Sequence, residues 1–244
     1  MALTTVVIPV KDEDPQILEK VVKELKAHGY PVIVVDDGSA EPMPFATLRF
    51  PISRGYGAAL KAGIAKAQTD LVATLDGDGQ HRAFDVKRLE DFFQYFSQMP
   101  SFMASRHFDR LDMVIADRRV SETGLRLLGR QVLNSLASGF AGRWIPDLNS
   151  GLRLFRRSVA LGYFPILCEG FSFTTSITLS FLADGYAVDW LPSKIFPRQV
   201  GCSKVKMWRD GWTTLKYILW IGFALRTRRL RAWLRPLRPA VSSA

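Results

Sequence analysis

Val32-Ile33-Val34-Val35-Asp36-Asp37-Gly38-Ser39 is a short, wholly apolar run that stops at two carboxylates and a turn. Asp70 to Leu75 repeats the pattern and stops at Asp76-Gly77-Asp78-Gly79-Gln80. A strand without apolar/polar alternation is buried on both faces. Thr4 to Val10 reads the same way. Helical spacing fills the gaps: Pro15 to His28, then Arg54-Gly55-Tyr56-Gly57 opening a helix to about Ala67, then about Phe84 to Phe96. Strands separated by helices predict a mostly parallel α/β sheet covered on both faces. Leu48 to Ile52 is expected as a weaker strand and Ser101 to Ser105 as the next one. In such sheets ligands bind beyond the carboxyl ends of the strands. Polar clusters fall there after Val35, after Leu75 and after Ala104.

The second half is less regular. It reads as a helix from about Arg118 to Phe140, then a loop, Pro146-Asp147-Leu148-Asn149-Ser150-Gly151, leading into Leu152 to Phe155. A helix over about Phe173 to Ala183 and a strand over Tyr186 to Leu191 follow, and Ile195 to Val200 extends the sheet. The 244 residues suit one large domain. With 48% apolar residues and 23% charged ones, the chain is not a disordered segment. Cys168 and Cys202 make neither a disulfide scaffold nor a metal-ligand cluster, which fits a reducing compartment. The start lacks a basic leader and a long apolar run. The longest late apolar run, Tyr217 to Leu225, is about 14 Å as a helix against about 30 Å of bilayer hydrocarbon. No membrane span is expected.

The net charge of +10 is uneven. Residues 204–244 hold ten Lys and Arg and one acid, Asp210, and so carry +9; residues 1–203 carry +1. A basic tail suits phosphate-rich surfaces, either anionic lipid or nucleic acid.

Asp76 and Asp78 form the most chemical pair. The glycines at 77 and 79 let the backbone turn both carboxylates toward one ion. Oxygen ligands suit Mg²⁺ or Mn²⁺, which bridge to substrate phosphates, and Gln80 adds an amide oxygen. The acidic ladder of an EF-hand is missing. Asp36 and Asp37 can accept hydrogen bonds from a base or ribose. Arg106, Arg118, Arg119, Arg198 and Lys204 are cations able to meet phosphate, Arg106 just past an expected strand end. Arg54-Gly55-Tyr56-Gly57 follows the wrong strand for a dinucleotide fingerprint.

Val7-Ile8-Pro9-Val10-Lys11-Asp12-Glu13, Val34-Val35-Asp36-Asp37-Gly38-Ser39, the Arg54 to Gly63 segment and Asp76-Gly77-Asp78-Gly79-Gln80-His81 together resemble the family 2 glycosyltransferases of GT-A fold. Ser105-Arg106, the Asp147 to Arg157 segment, Glu169-Gly170-Phe171-Ser172-Phe173 and Arg198-Gln199-Val200-Gly201-Cys202-Ser203-Lys204 resemble the dolichyl- and polyprenyl-phosphate sugar synthases within it. The resemblance covers roughly residues 4 to 206. It implies a GT-A domain over 1–203 followed by a basic amphipathic helix and tail over 204–244.

The resemblance also implies roles. Pro9, Lys11, Glu13, Val35, Asp36, Asp37 and Gly77 would line the nucleotide. Asp76 would meet the donor, and Asp78 and Gln80 would hold the metal. Arg106 and Arg119 (or Arg118) would meet donor or acceptor phosphate, with Arg198, Ser203 and Lys204 closing over the site. Lys11-Asp12 stands where the family usually has Tyr-Asn. The donor would be a GDP- or UDP-linked sugar. Metal and cations would neutralise the leaving diphosphate, and a lipid phosphate acceptor, already ionised, needs no base. An alcohol acceptor would need one, with Asp147 as candidate.

Val205, Trp208, Trp212, Leu215, Leu219 and Phe223 recur at helical spacing, with Lys206, Arg209, Lys216 and Arg226 between them. They read either as a helix packed on the domain or as an interfacial helix that brings the site to its lipid. The expected setting is peripheral, on the cytoplasmic face of a membrane, with no nucleic acid partner. Two alternatives remain. One is a family 2 transferase with a saccharide, protein or small-molecule acceptor. The other is a non-catalytic module whose basic tail grips nucleic acid, for which the Asp76/Asp78/Gln80 set has no use.

Overall fold

The computed structural model describes residues 3–97, 111–118, 125–194, 196 and 211–223. Seven strands form one sheet in the order β3-β2-β1-β4-β6-β5-β7. They are β1 (Thr4–Val10), β2 (Val32–Asp36), β3 (Ala46–Arg49), β4 (Leu71–Thr74), β5 (Leu111–Asp117), β6 (Arg153–Arg156) and β7 (Ala187–Pro192). Neighbours run parallel except β6, which is antiparallel to both β4 and β5. The expectation of a mostly parallel α/β sheet holds.

The helices are α1 (Pro15–Ala27), α2 (Tyr56–Lys66), α3 (Ala83–Ser97), α4 (Leu125–Ala141), α5 (Arg157–Tyr163) and α6 (Phe173–Ala183). Residues 211–223 are also helical. Successive strand side chains point to opposite faces. Val7, Val35, Val72, Met113 and Phe155 pack with Ile64, Ala137, Ile177, Ile218 and Ile221. Ile8, Val34, Ala73, Val114 and Leu154 pack with Leu18, Val22, Val86 and Leu89 on the other face. β1 lies between β2 and β4, so crossovers leave it in both directions and open a crevice at the carboxyl ends of the strands.

β5 is buried at all seven positions and ends at Asp117, which puts Arg118 at the rim. One expectation is corrected. Arg118 is not in a helix: it follows β5 directly, and α4 begins at Leu125. The strand read over Ser101 to Ser105 lies outside the described residues, as does nearly all of Ile195 to Val200. Among the described residues no helix is long and apolar enough to cross a membrane.

Candidate active site

Five chain segments meet at one rim of the sheet: Lys11 to Glu13 after β1, Asp36-Asp37 ending β2, Asp76 to His81 after β4, Arg118 after β5, and Asp147 to Gly151 leading into β6. The last arrives because β6 runs backwards, so its entry loop lies where the other strands exit.

Asp76 stands at the centre. The Tyr56 hydroxyl donates to its Oδ1 at 2.9 Å. Tyr56 is itself stacked on Phe171, with ring centroids 5.3 Å apart. Burial pushes the Asp76 carboxyl up and the Asp78 charge adds to this, against the Tyr56 hydrogen bond and the charges of His81 and Arg118. Burial and the Asp76 anion hold Tyr56 protonated, as a donor. Gly151 lies against Asp76: a Cβ there would come within 2.8 Å of Oδ1 and 2.7 Å of Cγ. Only glycine leaves room for that carboxylate.

Asp78, 5% exposed, accepts from the backbone N–H of Gln80 at 3.1 Å, which tightens the turn. Gly79, at φ +73°, supplies the left-handed step. Gln80 Nε2 donates to the Phe196 carbonyl at 3.3 Å, and the Phe196 N–H donates to the Gln80 carbonyl at 3.0 Å. Phe196 thus stands beside the Asp76 to Gln80 turn, two positions before Arg198 in sequence. Arg198, Ser203 and Lys204, with Arg106 and Arg119, lie outside the described residues.

The opposite wall is cationic. Arg118 forks onto Asp147, Nε to Oδ2 at 2.8 Å and Nη2 to Oδ1 at 3.2 Å, and its backbone N–H adds a third bond at 3.3 Å. Arg130, 7% exposed, lies 3.6 Å from the same carboxylate. Burial alone would raise Asp147, but Arg118, then Arg130 and the Asn149 N–H, hold it below the usual carboxylate range. Asp147, offered by the sequence as the base for an alcohol acceptor, sits fully buried between the Arg118 and Arg130 guanidiniums, where it is placed as a counter-ion that aims Arg118. Arg153, wholly buried, donates to the Ser150 and Thr174 carbonyls and to Thr178 Oγ1, fixing the loop that ends in Gly151. Burial lowers its pKa to about 10, so it stays charged near neutral pH.

The expected nucleotide wall is mixed. Pro9 and Val35 are cross-strand partners. Val35 is 0% exposed and its side chain sits in the core, which leaves its backbone for a nucleotide to contact. Asp36 is likewise tied into the fold. It is 0% exposed and accepts from Ser39 and Met43 N–H groups, with Arg49 at 3.4 Å. Burial would raise its pKa, and the Ser39 and Met43 hydrogen bonds and Arg49 bring it below the ordinary value. Asp37 accepts from Ser53 Oγ and from the N–H groups of Arg54 and Gly55, so it shapes the turn into α2 and shares with any ligand an acceptor already in use. Lys11 and Glu13 are half-buried at the rim. Asp12, between them, takes φ +46°, accepts from the Ala40 N–H and donates its own N–H to Ser39 Oγ. Asn and Asp tolerate that conformation best among side-chain-bearing residues. Gly77 packs against Val10, where a Cβ would come within 2.8 Å of Cγ1.

Tyr56, Arg130 and Arg153 are site residues that sequence reading missed. The signal for Arg153 was its place in the Asn149-Ser150-Gly151-Leu152-Arg153 segment; for Arg130 there was none, because its partner is 17 positions away.

Residues 5–164 match glycosyl transferase family 2. The undecaprenyl-phosphate 4-deoxy-4-formamido-L-arabinose transferase of Proteus mirabilis is 29% identical over 175 residues, covering 64% of this chain and 49% of that protein. The dodecaprenyl-phosphate galacturonate synthase of Rhizobium johnstonii is 25% identical over 175 residues, 64% of this chain and 48% of its own length. The chain thus spans about half the length of these curated relatives. Among solved structures, glucosyl-3-phosphoglycerate synthase from Mycobacterium tuberculosis, crystallised with Mn²⁺, UDP and phosphoglyceric acid, superposes with a TM-score of 0.66 at 14% identity, covering 90% of this chain and 78% of that one. That likeness speaks for the fold alone. The family match runs from β1 through α5, and so takes in both the strand-end carboxylates and the arginine wall that faces them: the chain belongs to glycosyl transferase family 2.

Proposed function

We propose that this domain is a metal-dependent, inverting glycosyltransferase that moves a sugar from a nucleotide-diphosphate sugar to a polyprenyl phosphate at a membrane surface. One observation carries the reading. The paired carboxylates Asp76 and Asp78 face an arginine, Arg118, that a buried counter-ion holds in place across the same strand ends. A cluster of anions opposite a fixed cation suits a reaction in which a diphosphate leaves and a phosphate attacks.

The residues fit a hard divalent cation. Asp76 and Asp78 repel each other in a poorly solvated cleft, and the turn at Gly79 presents Gln80 beside them. Among the described residues no set of three acidic, His or Cys side chains encloses an ion. Mg²⁺ and Mn²⁺ do not need such a cage, since they take one or two carboxylates and complete their shell with water and substrate phosphate. Asp78 and Gln80 would hold the ion; when bound, it would supply Lewis-acid stabilisation of the leaving diphosphate. Asp76 would orient the donor, its position set by Tyr56 and Gly151. Pro9, Lys11, Glu13 and the backbone of Val35 would border the nucleotide. Arg118, with Arg106, Arg119, Arg198, Ser203 and Lys204 as further candidates, would meet the phosphates. A phosphate acceptor is already ionised, so Asp147 is not needed as a base. The relatives' lipid acceptors and the UDP and Mn²⁺ of the superposing enzyme support the substrate classes.

The test is incubation with Mg²⁺ or Mn²⁺, a polyprenyl phosphate and a panel of UDP- and GDP-sugars, reading released nucleotide and lipid-linked sugar. Release only with a water-soluble acceptor such as 3-phosphoglycerate would replace the lipid acceptor. Release that persists at full rate in excess chelator would remove the metal.

A further inference from the structure

The outer face of the 211–223 helix has no part in the cleft. Trp212, Lys216, Leu219, Trp220 and Phe223 fall at i, i+4, i+7, i+8 and i+11, one stripe of an α-helix. Trp212 is 61% exposed, Leu219 46%, Trp220 55% and Phe223 68%. The helix already has a core face. Ile218 and Ile221 are buried with the sheet-facing residues, and Gly222 meets Phe140 so closely that a Cβ would lie 2.5 Å from its ring. The apolar spacing read from sequence, Trp212, Leu219 and Phe223, is thus largely the outward side. Four large apolar side chains in one exposed line on a seated helix are more than the scattered singles of an ordinary surface.

We propose that this stripe is the face on which the domain lies against an anionic lipid bilayer. The proposal deepens the lipid-acceptor reading and rests on it for the choice of occupant. Indole and phenyl rings flanking a lysine suit the headgroup boundary, where rings bury and the ammonium reaches out. The chain beyond Phe223 contains Arg226, Arg228, Arg229, Arg231, Arg235 and Arg238 and no Asp or Glu, a charge complement for anionic lipid. A second copy of this chain would bring two such arginine runs together, which like-charge repulsion opposes. The position also fits. Thr214 and Ser172 hydroxyls are 3.0 Å apart, Phe171 next to Ser172 stacks on Tyr56, and Tyr56 donates to Asp76. A short chain of contacts connects the docking helix to the central carboxylate, so a lipid phosphate in the headgroup layer starts near the cleft.

The experiment uses the full chain and vesicles of phosphatidylglycerol and phosphatidylcholine containing no polyprenyl phosphate. Trp212→Gln/Trp220→Gln/Phe223→Gln should lower the vesicle partition coefficient at least 10-fold, with circular dichroism and thermal midpoint unchanged. Arg226→Gln/Arg228→Gln/Arg229→Gln should weaken binding and flatten its salt dependence. In the unmutated chain, brominated phosphatidylglycerol should quench tryptophan fluorescence, a readout that needs no variant to fold. Vesicle binding by the triple aromatic variant equal to the parent, or no quenching in the parent, overturns the proposal. So does a concentration-dependent dimer that the triple variant dissolves while vesicles go unbound, which would give the face to a second copy. Transfer to a short soluble polyprenyl phosphate without vesicle binding would refute the docking face and leave the catalytic reading standing. Vesicle binding without transfer would do the reverse.

Discussion

Replacing Gly151 with alanine tests the centre of the cleft with one methyl group. The added Cβ would sit 2.8 Å from Asp76 Oδ1 and 2.7 Å from Cγ. Ordinary contacts of this kind begin above 3 Å, so either the carboxylate or the loop must retreat by at least several tenths of an ångström. The carboxylate is held by Tyr56 at 2.9 Å, and the loop is held by Arg153 bonds to Ser150 and Thr174. Overpacking of this sort costs roughly 1–3 kcal/mol of stability, and a lost hydrogen bond about 1 kcal/mol. A reacting group displaced by up to 1 Å loses on the order of 10²-fold in rate. Gly151→Ala should therefore fold with a midpoint a few degrees lower, bind nucleotide in the presence of Mn²⁺ at least several-fold more weakly, and transfer sugar roughly 10- to 100-fold more slowly. Gly162→Ala is the matched control. It lies in α5 with nothing within 4 Å of a Cβ, and it should be neutral or slightly stabilising. Calorimetry for nucleotide binding and a radiolabel transfer assay would measure both. A Gly151→Ala protein with parental rate and parental midpoint would refute the contact between this loop and Asp76.

Three further outcomes follow from the same geometry. Asp78→Asn should cut transfer at least 10²-fold, on the order of 3 kcal/mol of barrier, with an unchanged midpoint; a variant turning over at the parental rate would exclude Asp78 from the metal site. Asp147→Asn should cost about 3 kcal/mol near pH 7, because Arg118 and Arg130 lose their buried counter-charge. The pH dependence has a definite sign. Asp147 is held below the usual range, so its contribution is present above the unfolded value near 4 and is lost as pH falls through the folded value; urea unfolding from pH 7 to pH 2 should fall less steeply in the variant, and equal slopes would deny the ion pair. Arg153→Met should destabilise by about 3 kcal/mol, since it strands the Ser150 and Thr174 carbonyls, and a parental midpoint would mean the loop is held by something else.

The sequence made the centre of this side of the sheet legible because β2 and β4 are bare apolar runs closed by Asp and Gly, and β1 is an unbroken buried run. β1 and α6 coincide with the residues read for them. β5 was missed for a specific reason. Asp112 interrupts its apolar run, and what makes that charge tolerable inside a buried strand is Arg156 on β6, 44 positions later, at 3.1 Å. A window reading cannot see a partner across the sheet, so β5 was not read from the sequence, although Arg118 behind it was already among the cations able to meet phosphate. Arg130 escaped for the same reason: on a helix it passes for a solvated residue until Asp147 is brought beside it. Asp36, Asp37 and Val35 show the converse. The motif located the rim correctly, but whether a carboxylate at the rim faces a ligand or ties down its own turn depends on which donors the next loop brings.

The reversed strand β6 has a consequence for how the molecule is made. It lies between β4 and β5, yet β4 ends at Thr74 and β6 begins at Arg153. A nascent chain that has emerged as far as Gln80 already contains Asp76 and Asp78 but not Gly151, Arg118 or Asp147, and β4 has an open edge on the side β6 will fill. Long-range strand insertion is slow compared with local crossovers, and an unpaired edge is a template for association. The two walls of the cleft thus come from opposite sides of a late seam, and the carboxylates meet their arginine only when β6 joins β4 to β5.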